Sequence, residues 1–337
     1  MLMGGALPAP AEVYYPRRQF LKKARVDMDR HRVAITIRSF DDRGPAMADL
    51  RRSFRITYRN TTGKRLSEDD LGKAVAGAEG VIAGTERFTG RVIGSSPDLK
   101  VISRVGVGTD SIDLAAAREH GVKVLTTPDS ATQAVAEHTL ALILAVMKRI
   151  GVYALAMRKG DDTAAPGSLL LGKTAGIVGL GRIGNRVAGM LDSLGCRILY
   201  LDPAPRIPAR AGWEAAASFG DLLSRSDIVS LHVPAQEGDR ALIDGEAIGS
   251  FKEGAVIVNT ARGSLLSEDA LLAGLREGRI AGAGLDVFPV EPYWGALLGF
   301  PQVVVTPHVA SLTAESRREM EVEAVKNLVS VLSEVHP

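Results

Sequence analysis

The chain has 337 residues, longer than one average domain, so two domains are expected. It is 46% apolar and only 5% aromatic, the balance of an α/β protein packed with aliphatic side chains. The 41 basic and 39 acidic residues leave a net charge of +2, too small to argue for nucleic acid or a membrane surface as partner. The single cysteine, Cys196, excludes an internal disulfide and, opening an apolar stretch, reads as a buried strand residue.

Residues 1–30 read as an N-terminal extension, with Pro8, Pro10 and Pro16 followed by a charged run that has no apolar face. Residues 1–10 lack the basic start of a signal peptide, and the longest apolar stretch, 139–147, is well under the ~18 residues of a membrane span. A soluble cytoplasmic protein is expected. Strand-like runs at 32–37, 54–58, 81–83, 101–103 and 122–126 alternate with helix-like runs at 49–52, 68–78 and 114–120, which argues for parallel βαβ units. A long apolar helix is expected over 131–149, then a loose linker or arm over 151–167. A second alternating series follows, with strands at 174–179, 197–201, 228–233, 255–259, 282–287 and 303–306 and helices at 184–194 and 219–226. The last helix, 314–332, is approached by Ser311-Leu312-Thr313, which supplies capping hydroxyls.

Between the strand at 174–179 and the helix at 184–194 lies Gly179-Leu180-Gly181-Arg182-Ile183-Gly184. A glycine pattern alone is weak, but strand, loop and helix are in register here. Gly179 allows a tight turn, Gly181 lets a diphosphate approach the backbone, and Gly184 lets helix pack on strand. The helix N-terminus would hold the phosphates through free N–H groups and its dipole. About twenty residues on, the next strand ends at Asp202, whose carboxylate suits ribose hydroxyls and repels a 2′-phosphate; this favours NAD over NADP, with Arg206 a softening influence downstream.

Ligands of doubly wound sheets bind outside the carboxyl ends of the strands. Arg262, Asp286, Glu291 and His308 all follow predicted strands and should share one rim. The set suits hydride transfer to a 2-oxo acid: an imidazole for the proton, a carboxylate to hold its tautomer and raise its pKa, and a guanidinium for the substrate carboxylate.

From residue 79 to 331 the sequence resembles the D-2-hydroxyacid dehydrogenases. The resemblance is carried by Gly172-Lys173-Thr174, Asn259-Thr260-Ala261-Arg262-Gly263, Gly284-Leu285-Asp286-Val287-Phe288 with Glu291-Pro292, and Thr306-Pro307-His308. It implies that Arg262 binds substrate, that His308 is the acid/base with Glu291 as partner, and that Asp286 contacts the nicotinamide amide. Thr260 is likewise expected at the cofactor, and His232-Val233-Pro234 on the adenine side. Arg104-Val105-Gly106-Val107-Gly108-Thr109-Asp110 is similar to the family's substrate loop, where backbone N–H groups of Val107 and Gly108 would hold the substrate carboxylate. Arg87 and Arg104 are candidates for a substrate phosphate. Ser111 and Ala131 stand where the family often has Asn, and the Trp and Glu usual before Leu171-Gly172 are missing; these bear on the dimer arm and the substrate fit. No match continues past the last helix, so the regulatory domain of long phosphoglycerate dehydrogenases is not expected.

The implied fold is α/β with two doubly wound parallel-sheet domains. A flavodoxin-like substrate domain (31–129 and 307–337) would be interrupted by an inserted Rossmann NAD-binding domain (130–306). The implied function is NAD-dependent, reversible hydride transfer on a small 2-hydroxy or 2-oxo acid, 3-phosphoglycerate among the candidates. A glyoxylate/hydroxypyruvate reductase and an NAD(H)-sensing corepressor-like binding protein are the alternatives. Glu291, where the formate-dehydrogenase branch has Gln, argues against that branch. No metal is expected, and a homodimer through the cofactor domain is.

Overall fold

The computed structural model describes residues 31–162, 164–203, 210–235 and 240–333; the expected extension at 1–30 and Arg206 lie outside the described residues. Two sheets organise the chain. The first is built from β1 (Arg32–Ile35), α1 (Pro45–Ser53), β2 (Arg55–Arg59), α2 (Glu68–Val75), β3 (Gly80–Ala83), α3 (Gly90–Gly94), β4 (Val101–Arg104), α4 (Leu114–Glu119) and β5 (Lys123–Leu125). Its strands lie in the order β2-β1-β3-β4-β5, all parallel. Next come α5 (Pro128–Met147) and α6 (Ile150–Arg158).

The second sheet uses β6 (Thr174–Val178), α7 (Arg182–Ser193), β7 (Arg197–Leu201), β8 (Glu214–Ala215), α8 (Phe219–Arg225), β9 (Ile228–Leu231), α9 (Gly245–Ser250), β10 (Ala255–Asn259), α10 (Glu268–Arg276), β11 (Ile280–Leu285) and β12 (Val303–Val305). The order β12-β11-β10-β9-β6-β7-β8 is again wholly parallel. Its direction reverses between β6 and β9, the topological switch point at which α/β sheets take a ligand. The final helix, α11 (Ala314–Leu332), returns to the first sheet, where Leu328 and Leu332 pack with Val33, Ile35 and Val101.

Local chemistry explains the elements. β3, β9 and β10 are buried at every position, as parallel strands covered on both faces must be. Ser67, Thr89, Asp113, Ser218, Asp244, Ser267 and Thr313 each cap a helix by accepting a backbone N–H from three residues on.

The structure corrects the reading of 151–167 as loose: its first part is the helix α6. Between Ile150 and Arg158 only Gly151, in the first turn, disfavours helix, and Gly160 at φ +75° comes after the end. α10, with Ser267 as cap and Glu268 and Asp269 in its first turn, also goes beyond the sequence reading, as do the short α3, α9 and β8.

At 20 residues α5 has the length and composition of a membrane span, but half of that window is buried within the protein. Its start belongs to the first core through Ala131 and its later turns to the second, where Leu142, Ile143 and Val146 meet Ile177, Val256 and Val258. It is a core helix shared by both sheets.

Candidate active site

The glycine loop leaves β6 at the switch point. Gly179 has φ +91°, and a Cβ there would stand 2.6 Å from the carbonyl oxygen of His232. A Cβ on Gly184 would stand 2.0 Å from the carbonyl oxygen of Gly179, whereas the space above Gly181 is open. α7 begins at Arg182, its N-cap Gly181 offers no side chain and its first turn has no acid, so its N–H groups are left for an anion. A dinucleotide diphosphate fits this cradle. Asp202, just past β7, accepts the Leu180 N–H through Oδ2 at 2.7 Å, so the expected ribose ligand also holds the loop.

Arg182 pairs with Asp129 at 3.0 Å, and Ile183 packs against the second core. His232 and Val233 flank Gly179, with Pro234 exposed beyond them. The His232 Nε2 lies 2.9 Å from the Ser230 hydroxyl, and burial pushes its pKa down to about 4, leaving it neutral at pH 7. Thr260, after β10, meets the Thr139 hydroxyl of α5 at 2.8 Å.

Arg262, Glu291 and His308 converge on the same sheet edge. Asn259 pins the turn carrying Arg262, accepting the Ala261 N–H at 3.0 Å and donating to the Arg262 carbonyl at 2.8 Å. Gly263 lies against the next loop so closely that a Cβ would be 2.0 Å from the Phe288 carbonyl carbon. Glu291 accepts the Phe288 N–H at 3.1 Å and His308 Nδ1 at 2.9 Å. That hydrogen bond raises the His308 pKa, outweighing burial and the nearby Arg262. For Glu291 burial pushes upward, but the bonds from His308 and Phe288 hold it below the usual carboxylate range. Glu291 thus fixes the imidazole tautomer, directs Nε2 away from itself and stabilises the imidazolium. NADH supplies hydride when bound; the protonated Nε2 is the group able to give a substrate oxygen its proton.

Across from this rim stands the loop 106–108. Thr127 holds it, accepting the Gly106 N–H at 2.7 Å, while the N–H groups of Val107 and Gly108 make no hydrogen bond among the described residues. Two guanidinium groups lie over its glycines. A Cβ on Gly106 would be 1.3 Å from Arg104 Nη1, and one on Gly108 would be 2.0 Å from Arg262 Nη2. Arg262 Nε pairs with Asp110 at 3.0 Å, joining the two sheets across the cleft.

Not every expected site residue joins this group. Arg87 is exposed on the β3–α3 connection and makes no ion pair among the described residues. Asp286 is fully buried and its carboxylate is largely occupied: Oδ1 accepts from the Thr306 hydroxyl at 2.5 Å and the Val309 N–H at 2.9 Å, and Oδ2 from the Ala310 N–H at 2.8 Å. Only the remaining capacity of Oδ2 is left for a nicotinamide amide. Asp110, Thr127, His138 and Thr306 had been assigned no role of their own. Asp110 and Thr306 lie within the motifs that carry the resemblance, but the partners of all four lie far away in sequence and no local pattern announces the contacts they make.

A sequence model of the family described as D-isomer specific 2-hydroxyacid dehydrogenase, NAD binding domain, matches residues 140–310. The chain is 37% identical over 279 residues to a hydroxypyruvate reductase of Thermotoga maritima, covering 80% of this chain and 90% of that one. It is 42% identical over 231 residues to a D-3-phosphoglycerate dehydrogenase of Mycobacterium leprae, covering 67% of this chain but 44% of that longer protein. A crystal structure of a Thermus thermophilus protein superposes with a TM-score of 0.81 at 38% identity, covering 91% of this chain and 98% of that one.

Proposed function

The chain belongs to the D-isomer specific 2-hydroxyacid dehydrogenases, NAD-dependent oxidoreductases acting on a CH–OH group, and from that premise we propose that its substrate carries a second anionic group. The candidate is 3-phosphoglycerate, oxidised at its 2-hydroxyl by NAD to 3-phosphohydroxypyruvate, NADH and a proton. Arg262 and the N–H groups of Val107 and Gly108 take the 2-oxo acid carboxylate, and His308 moves the proton with Glu291 behind it.

The observation that carries the second anion is Arg104. Among the described residues its buried Nε has no partner, its one hydrogen bond is to the Val105 carbonyl at 3.1 Å, and no acid forms an ion pair with it. Burial, then the charge of Arg262, push its pKa down to about 10, so it is still a cation at pH 7. A largely buried guanidinium that no carboxylate pairs with directly is costly even with the charges of Asp110 and Glu86 nearby, and an anion on the substrate would offset that cost. The relative named D-3-phosphoglycerate dehydrogenase supports the same reading.

Rates of NADH oxidation with 3-phosphohydroxypyruvate, hydroxypyruvate and glyoxylate test it. The phosphorylated acid is expected to lead in kcat/KM, and Arg104→Met to weaken it by about 10- to 100-fold, the scale of ~1.5–3 kcal/mol for a charged hydrogen bond, with glyoxylate unaffected. A wild-type preference for glyoxylate or hydroxypyruvate would overturn the proposal and leave a reductase of the unphosphorylated acids.

We also propose a homodimer through the cofactor domain. Ile150, Leu155 and Met157 of α6, with Leu169 and Leu171 beyond it, are exposed large apolar side chains grouped on one segment. Sedimentation at micromolar concentration is the test, and a monomer would end this proposal.

A further inference from the structure

His308 is one of two non-glycine residues with positive φ among the described residues, at φ +55°. A side chain with a Cβ is disfavoured there, so its surroundings must hold the backbone in place. The segment on both sides of it is fastened to one buried carboxylate. Before it, the Thr306 hydroxyl donates to Asp286 Oδ1 at 2.5 Å; after it, the Val309 and Ala310 N–H groups donate to Oδ1 and Oδ2 at 2.9 and 2.8 Å.

A fourth group completes the arrangement. His138 Nε2 lies 2.9 Å from the Thr306 oxygen and 3.5 Å from Asp286 Oδ1. A hydroxyl has one proton, and that of Thr306 goes to Asp286. The Thr306 oxygen is therefore an acceptor toward His138, which must carry its proton on Nε2. His138 sits in α5, between Ala131 in the first core and Leu142 in the second. The chain leaves the first sheet through α5 and returns to it through 306–313. The His138–Thr306 bond ties these two crossings together at the point where His308 projects into the cleft.

We propose that His138, acting with Thr306 and Asp286, is a positioning residue that holds the left-handed backbone of His308 and so sets where its imidazole stands. The proposal rests on His308 being the acid/base. Among the described residues His138 makes no hydrogen bond or ion pair to Arg262 or Glu291; it acts through the backbone of the 306–310 segment. Asp286 can serve here through its ionised carboxylate: burial pushes its pKa up, but the hydrogen bonds from His138, Thr306, Val309 and Ala310 hold it below the usual range.

Two matched pairs of variants test this, assayed in the full chain with NADH and either hydroxypyruvate or 3-phosphohydroxypyruvate. Thr306→Val removes the hydroxyl at constant shape, and Thr306→Ser keeps it. His138→Leu removes the donor, and His138→Gln keeps an N–H on a side chain of similar reach. Thr306→Val and His138→Leu are expected to lower kcat by about 10- to 100-fold, the scale of a sub-ångström to ångström misplacement, with the NADH Kd from fluorescence titration within about twofold. Their alkaline limb for reduction should move to lower pH as the imidazole loses its alignment on Glu291. Thr306→Ser and His138→Gln should recover most of the loss. If Thr306→Val does not fold, the His138 pair carries the same comparison. Unchanged kcat in both removal variants overturns the proposal, as does an equal loss of NADH affinity, or serine and glutamine variants as poor as valine and leucine. His308→Ala distinguishes failure of the premise: turnover surviving in that variant removes the acid/base reading itself.

Discussion

The loops at 106–108 and 179–184 solve a similar problem with different means. Each is a glycine turn near the carboxyl end of a parallel strand, and each has backbone N–H groups to offer an anion. In the cofactor loop, a Cβ on Gly179 or Gly184 would strike backbone, the carbonyl oxygens of His232 and Gly179. In the substrate loop, a Cβ on Gly106 or Gly108 would strike the ends of side chains, Arg104 and Arg262. The first loop is shaped by fixed packing and attracts its ligand with the α7 dipole. The second keeps space for two cations, whose reach and charge can be matched to a particular acid. On the proposed reading, a constant ligand is held by backbone, and a selected one by backbone and guanidinium groups together.

Experiments that separate the two loops sharpen this contrast. His308→Ala should have the largest effect, lowering kcat by about 10²- to 10⁴-fold while NADH still binds on the cofactor loop. Loss of NADH binding in that variant would make His308 structural. Gly184→Ala should come next: the backbone must shift, and NADH affinity measured by fluorescence should fall by about 100-fold, a few kcal/mol of overpacking. Gly108→Ala should be milder, because Arg262 Nη2 and the Asp110 carboxylate can swing aside. It is expected to raise KM for the 2-oxo acid by about 10-fold with NADH affinity unchanged, the scale of one displaced charged hydrogen bond. If both alanine variants lost NADH alike, the distinction between the loops would be broken.

The smallest effect is on pH. Glu291 raises the His308 pKa, so the proton-donating form persists to higher pH than a free imidazole allows. With His308 as the proposed acid, reduction needs that form. Glu291→Gln should therefore move the alkaline limb of the reduction profile to lower pH, and an unmoved limb would remove Glu291 from the acid/base pair.

Legibility followed distance along the chain. The parallel strand series, the glycine loop and Asp202 were readable because each is a local pattern: buried runs, a turn between strand and helix, an acid at a strand end. The convergence of Arg262, Glu291 and His308 was readable through the rule that ligands lie at the strand carboxyl ends. The Arg262–Asp110 pair spans 152 positions and the His138–Thr306 bond spans 168, so neither leaves a local trace. Asp286 shows the same limit: the resemblance implies a cofactor contact, and its hydrogen bonds to the 306–310 segment leave no local trace. Helix α6 was missed for a different reason: its exposed apolar residues show no one-sided stripe that would mark a packed helix.

The return of α11 to the first sheet has a consequence for the order of folding. Leu328, Val331 and Leu332 close a core begun by Val33 and Ile35, nearly the whole chain earlier. During synthesis that sheet emerges first, yet one wall of its core is made last. The second sheet has all its strands and most of its cover by Val305. It can consolidate while the older half waits with apolar surface uncovered, the state in which nascent chains are most exposed to aggregation. Truncation within α11 should accordingly harm the half of the protein that was translated first.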